Sequence, residues 1–213
     1  PSGFGKSTLL NDWKQACGFP VAWLTLDDHD NNPTRFFYSV ITAFQTIYPD
    51  FGKDLIAYIN STPSIQPTEV ISHLSASIIE AQDQFPKLGI VLDDFHRVSQ
   101  SVIYDSLQFW LEHFPTGLQL VISGHTRPPL SFGHLRAQGL LTELEVSDLR
   151  FTTAEGVNYL KQYPQDPPLA QDDLEKLVKH TEGWAAGLTL TALALGKQGD
   201  QRHFIETFSG AHI

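Results

Sequence analysis

Apolar and polar positions along the 213-residue chain alternate between helical and strand periodicities. Gly5 to Ala16 places Leu9, Leu10 and Trp13 on one helical face. Val21 to Leu26 is a short apolar run after a Gly-Phe-Pro break and predicts a buried strand. Asn32-Pro33 opens a helix, since Asn caps well and Pro suits a first helical position. That helix carries Phe36, Phe37, Val40, Ile41 and Phe44 and ends near Pro49. A loop containing Pro63 and Pro67 follows, and then a helix through Val70, Ile71, Leu74 and Ile78. Leu88 to Leu92 is the most apolar strand and ends at Asp93-Asp94. A helix from Val102 to Phe114, a strand from Leu118 to Ser123, a short helix from Phe132 to Gln138 and an alternating strand from Leu140 to Val146 complete this part.

Strands separated by helices of this length predict βαβ units, hence an α/β fold: a parallel sheet flanked by helices. After Arg150 only helical patterns occur. Thr152 or Thr153 caps a helix to Tyr163, and Asp172 to Thr181 and Trp184 to Gly196 are further helices. The pattern predicts a domain over 1–150 and the start of an all-α domain over 151–213.

Composition narrows the picture. The chain is 41% hydrophobic and carries a formal net charge of −10. An acidic segment repels a nucleic-acid backbone, so no nucleic acid is expected to bind this segment. Cys17 is the sole cysteine, which precludes an internal disulfide and fits a reducing, cytoplasmic setting. No apolar run reaches the ~18 residues of a membrane span, so no membrane association is expected. The chain has no methionine and begins at Pro1, inside a motif, and is therefore expected to be an internal piece of a longer protein.

That motif runs from Pro1 to Thr8. Pro1-Ser2-Gly3-Phe4-Gly5-Lys6-Ser7 matches the last seven positions of G-x-x-x-x-G-K-[ST], and its first glycine would precede Pro1. Gly3 and Gly5 allow backbone N–H groups to turn toward phosphate oxygens. A helix starting near Gly5 adds its positive dipole end. Lys6 offers a charge to the β- and γ-phosphates of ATP, Ser7 a hydroxyl ligand for Mg²⁺, and Phe4 and Thr8 complete the loop. The expected P-loop sheet lacks its first strand, with a gap beside the most apolar strand. Asp93 and Asp94 leave that strand at its C-terminal end, where ligands sit in parallel sheets. Asp93 suits Mg²⁺, directly or through water, and Asp94 suits orienting or deprotonating an attacking water.

Other readings are weaker. Asp28-x-Asp30-x-Asn32 begins like an EF-hand, but Pro33 and Ser39 stand where Gly and Glu are required. The nine histidines show no metal-ligand spacing, and His96 reads as a structural hydrogen-bonding residue. There is no G-x-S-x-G elbow of a serine hydrolase.

Four stretches together resemble the ATPase core of the STAND-class, MalT-like (large LuxR-type) transcriptional regulators: PSGFGKSTLLNDW, WLTLDDHDNNPTRF, GIVLDDFHRV, and LRAQGLLTELEVSDLRFT followed by TEGWAAGL. The resemblance implies a switch that holds ADP at rest and ATP when an inducer docks elsewhere. Its ATP form self-associates, DNA is bound by a helix-turn-helix outside this segment, and slow hydrolysis resets it. The family shows Ser-Arg, two residues, then Pro-Pro-Leu after its fourth strand. Here Ser123-Gly124-His125-Thr126-Arg127-Pro128-Pro129-Leu130 puts His125 at the arginine's place and Arg127 two residues later. Either can face the γ-phosphate, Arg127 with a permanent charge and His125 with a partial one. A P-loop small-molecule kinase would need an arginine-rich lid, which the chain lacks. A scaffold that binds ATP or ADP without meaningful hydrolysis is the main alternative.

Lys6→Ala in the intact protein is expected to weaken ATP binding by about 10- to 150-fold, the worth of one charge-assisted contact. Titration calorimetry reads this directly, and an unchanged affinity removes the P-loop assignment.

Overall fold

The computed structural model of the chain describes residues 1–61, 66–163 and 168–195. They form two compact units: Ser7–Leu141, and Pro1–Lys6 together with the residues from Thr142 onward.

The first unit is built on a parallel sheet. Helix α1 (Lys6–Ala16) leads into strand β1 (Val21–Thr25), and a 3-10 turn at Asp28–Asn31 precedes α2 (Pro33–Gln45). The Asn32 side chain accepts a hydrogen bond from the Arg35 backbone N–H at 3.1 Å, with Pro33 at the first helical position, as the dipeptide predicts. Helices α3 (Lys53–Ser61) and α4 (Pro67–Ala81) follow, then β2 (Leu88–Asp93), a 3-10 turn at Phe95–Arg97, α5 (Ser101–Glu112), β3 (Leu118–Ile122) and the short α6 (Gly133–Ala137).

The strand order is β1-β2-β3, all parallel, with Val21 opposite Gly89 and Leu88 opposite Leu118. Every position of β2 is buried. A central parallel strand is covered on both faces, which is why its sequence is an uninterrupted apolar run. Phe36, Phe37, Ile41 and Phe44 of α2, Ile71, Leu74 and Ile78 of α4, and Ile103, Leu107 and Trp110 of α5 fill the core with Ile90 and Leu92.

Three expectations are corrected. The most apolar strand has no gap beside it, because β2 pairs on both sides and the sheet edges fall at β1 and β3. Helix α3 occupies part of the expected loop. Leu55, Ile56, Tyr58 and Ile59 recur at helical spacing and pack on the core, but the period lasts only nine residues. The expected strand from Leu140 to Val146 does not form. Leu140 and Leu144 are 70% and 59% exposed, and Glu145 instead caps the short α7 (Val146–Leu149). Alternation favours a strand only where a neighbour completes its hydrogen bonds.

The regular elements described in the second unit are all helices: α7, then α8 (Thr153–Leu160), α9 (Gln171–His180) and α10 (Ala185–Leu195). Thr152 caps α8 in a box with Glu155. Its backbone N–H donates to the Glu155 carboxylate at 2.8 Å, and its hydroxyl accepts from the Glu155 N–H at 3.3 Å. The Thr152 backbone bond, helped by its hydroxyl, holds the Glu155 carboxyl below the usual range. Val157, Leu160, Leu174, Leu177, Val178 and Leu188 form a separate core. Pro63, Gly196 and the rest of the expected helical region to Ile213 lie outside the described residues. Among the described residues, no helix is long and apolar enough to cross a membrane.

Ile90→Ala, at a fully buried central position, is expected to destabilise the first unit by about 2–5 kcal/mol. Leu144→Ala, at an exposed one, is expected to change stability by no more than about 0.5 kcal/mol. Denaturant unfolding of both variants beside the parent protein checks the contrast.

Candidate functional site

The parallel register brings the strand ends to a common edge, and chemistry-bearing residues collect there. Asp93, the last residue of β2, is 4% exposed. A buried carboxylate requires partners. One oxygen of Asp93 accepts the Ser7 hydroxyl at 2.8 Å, and the other accepts the Asp94 backbone N–H at 3.1 Å. Ser7 lies in the first turn of α1, so the fold joins two motifs that are far apart in sequence. The Ser7–Asp93 spacing of 2.8 Å is that of an O–H···O hydrogen bond, and both oxygens are of a kind that could ligate Mg²⁺.

Asp94 has φ 56° and ψ 34°, the left-handed region. Aspartate tolerates this better than most residues, and such backbone strain gathers at functional sites. The chain turns there, and the Asp94 side chain stays 37% exposed. Phe95 plugs into the core, and its N–H donates to the Ser123 carbonyl at 2.8 Å. The Ser123 N–H in turn donates to the Leu92 carbonyl at 2.9 Å, so the end of β3 is laced to the end of β2. This places His125 against His96, with ring centroids 3.9 Å apart and planes 21° apart. His96 Nδ1 lies 3.7 Å from an Asp94 oxygen, is shut off from solvent, and has no hydrogen-bond partner. The hydrogen-bonding role that its sequence context suggests for His96 is thus not met at Nδ1. Arg127 lies two residues beyond His125 on the exposed segment.

The acidic run after β1 has a bracing role. Arg35 bridges Asp27 at 3.3 Å and Asp30 at 3.4 Å, and the Ser39 hydroxyl donates to Asp30. The His29 backbone N–H holds the Asp27 carboxyl below its usual range. The Asn31 amide oxygen accepts from the Ser99 N–H at 2.7 Å, and the Asn31 NH₂ donates to the Arg97 carbonyl at 2.8 Å. This lashes the exit of β1 to the exit of β2.

In the second unit, Pro1–Lys6 packs with helical residues. Gly3 and Gly5 have φ of +75° and +78°, in the left-handed region open to glycine. The Trp184 indole N–H donates to the Ser2 carbonyl at 3.0 Å, and the Ala186 N–H to the Gly3 carbonyl at 2.9 Å. A Cβ on Gly3 would lie 2.6 Å from Trp184 Nε1, whereas one on Gly5 would meet nothing within 4 Å. The Phe4 ring lies 6.5 Å from that of Trp184, with the Arg150 guanidinium over Phe4 at 5.8 Å. Arg150 is held in turn by Glu182 at 3.0 Å. Lys6 Nζ donates to the Pro1 carbonyl at 2.5 Å. Thr8 is exposed in the first turn of α1.

The fold brings Ser7 and Asp93 together, and two further features were not expected from the sequence. The GWAAGL stretch holds the glycine loop, and His96 meets His125. Neither has a local signal, since each joins segments distant in the chain.

No family model matches the chain. It is 34% identical over 214 residues to serine/threonine-protein kinase PknK of Mycobacterium tuberculosis, which covers 99% of the chain and 19% of that protein. It is 31% identical over 194 residues to the HTH-type transcriptional regulator MalT of Serratia proteamaculans, covering 91% of the chain and 21% of the regulator. With MalT of Klebsiella pneumoniae the identity is 29% over 211 residues. Over this segment the chain is similar to both PknK and MalT. It spans about a fifth of the length of the curated relatives it matches. Proteins named for two different outputs thus each contain a stretch similar to this chain.

Gly3→Ala is expected to push Trp184 off the loop and speed exchange of the Ala186 amide. Gly5→Ala strains its own left-handed backbone but meets no neighbour, and is expected to leave that amide protected. Hydrogen-exchange mass spectrometry over residues 184–190 separates the two.

Proposed function

We propose that the chain is the ATP-binding and slowly hydrolysing switch module of a signal-responsive transcriptional regulator. The observation that carries this reading is the hydrogen bond from Ser7, at the head of α1, to the buried Asp93 at the end of the central strand. A phosphate-loop hydroxyl and a strand-end carboxylate held together are what a nucleotide-bound magnesium ion requires.

In this reading Gly3, Phe4, Gly5 and Thr8 shape the phosphate cradle, and Lys6 exchanges the Pro1 carbonyl for phosphate oxygens. Ser7 and Asp93 hold Mg²⁺, which when bound neutralises charge on the phosphates. Asp94 presents a partly exposed carboxylate at the sheet's C-terminal edge. There it can accept a hydrogen bond from water and take its proton as the water attacks the γ-phosphate. His125 or Arg127 faces the γ-phosphate and distinguishes ATP from ADP.

A module shared by proteins named as a kinase and as transcriptional regulators is suited to reporting nucleotide state to different outputs. The net charge of −10 leaves DNA contact to other parts of the protein. Inducer binding likewise falls to other parts, while self-association belongs to the ATP form, in the cytoplasm. The second reading, a nucleotide-gated scaffold without meaningful turnover, is favoured by one observation. The arginine position is taken by His125, which is stacked on another imidazole.

Asp94→Asn in the intact protein tests the proposal, because asparagine also tolerates the left-handed backbone. ATP affinity is expected to stay within about threefold, while single-turnover hydrolysis falls by about 100-fold or more, the scale of general-base catalysis. Parent-like turnover removes Asp94 from this role. A parent protein that binds ATP without turning it over supports the scaffold.

A further inference from the structure

Asp94, His96 and His125 each present one ligand atom, and these atoms lie within 4.8 Å of one another. The geometry points to a transition-metal site of the zinc class at Asp94, His96 and His125. Its occupation removes the Asp94 carboxylate from catalysis and so inhibits nucleotide turnover. The metal site stands on its own geometry, while the inhibition rests on the hydrolytic role proposed for Asp94.

Three features carry the site. The donor set is two imidazoles and one carboxylate, the set that holds zinc or iron(II) with positions left open. The three side chains also come from elements fixed to one another. Asp94 and His96 are positioned by the left-handed turn and by Phe95, buried in the core, and His125 by the hydrogen-bonded end of β3. Finally, His96 Nδ1 is buried without a hydrogen-bond partner, 3.7 Å from Asp94 Oδ1. That separation is too long for a hydrogen bond but close to the edge of a zinc tetrahedron, about 3.3 Å for bonds of 2.0–2.1 Å. A metal ion would satisfy the stranded nitrogen.

The His125 ring lies stacked on that of His96, so binding requires His125 to turn until a ring nitrogen points at the metal. His125 is exposed and Asp94 partly so, which leaves an entry path from solvent and room for water on the metal. Mg²⁺ does not compete here, because it takes oxygen ligands and imidazole favours the later transition metals. Ser7 and Asp93 are oxygen donors only and remain with Mg²⁺. The two ions therefore divide two adjacent strand-end acids between them. Asp93 serves nucleotide binding, and Asp94 is either the catalytic base or a zinc ligand. An oxygen of Asp94 donated to zinc no longer accepts a proton from water.

The full-length protein is titrated with Zn²⁺ against a chromophoric chelator, with His96→Ala, His125→Ala and, as a control at the end of α5, His113→Ala. Loss of a direct ligand is expected to weaken zinc binding beyond the ~10- to 100-fold that loss of an outer-shell partner costs. The expected result is one zinc equivalent weakened at least 100-fold by either ligand substitution and unaffected in His113→Ala. Equal zinc affinity in the parent and both ligand variants overturns the site. Hydrolysis is measured in parallel in excess Mg²⁺. Zinc is expected to slow the parent protein and to slow His96→Ala only at about 100-fold higher concentration. Zinc that binds as expected but leaves turnover unchanged overturns the inhibition and removes Asp94 as the base, while the metal site stands. If the zinc-free parent shows no turnover, the hydrolytic reading fails, and the binding titration still decides the site.

Discussion

A buried carboxylate that has to be satisfied organises the sheet unit. Asp93 sits at the end of the central strand, covered on both faces, where an unpaired charge would cost several kcal/mol. Its two oxygens are committed to the Ser7 hydroxyl and the Asp94 backbone. The first bond fixes the head of α1 against the strand end. The second helps to fix the left-handed turn that sends Asp94 out to the edge. The same requirement that stabilises the fold therefore sets the positions of the candidate nucleotide-handling groups.

The second acid lives in a different environment. Asp94 is exposed enough to meet water and stands beside two stacked imidazoles rather than a hydroxyl. Neighbouring residues of identical type thus acquire separate chemistry from their surroundings. One stands beside a hydroxyl oxygen, a donor that suits a hard ion, the other beside imidazole nitrogens that suit a softer one. The lacing of β3 onto β2 through Ser123, Leu92 and Phe95 contributes to this difference, because it brings the segment that carries His125 to the strand end.

In the helical unit the glycine loop is held by backbone acceptors. Ser2 and Gly3 give their carbonyls to Trp184 and Ala186, and the tight approach leaves no room for a side chain at Gly3. Gly5 faces open space with the same left-handed backbone. The two glycines therefore serve different ends, one for packing and one for a backbone that turns outward.

Much of this protein was legible in the chain itself. The apolar run of Leu88–Leu92 ending in paired acids, the Asn32-Pro33 cap and the Gly-x-Gly-Lys-Ser loop are local signals, because burial period, capping and backbone handedness act over a few residues. They determined the α/β class, the strand ends and the acids at the sheet edge. Helix α3 escaped because its helical period spans only nine residues, and the segment from Leu140 to Val146 misled because alternation carries no record of a missing partner strand. Only the tertiary structure decided that β2 is central, that Trp184 holds Gly3, and that His96 lies on His125. Strand order and the meeting of distant side chains depend on contacts spread over long sequence separations. No window of residues encodes these by itself.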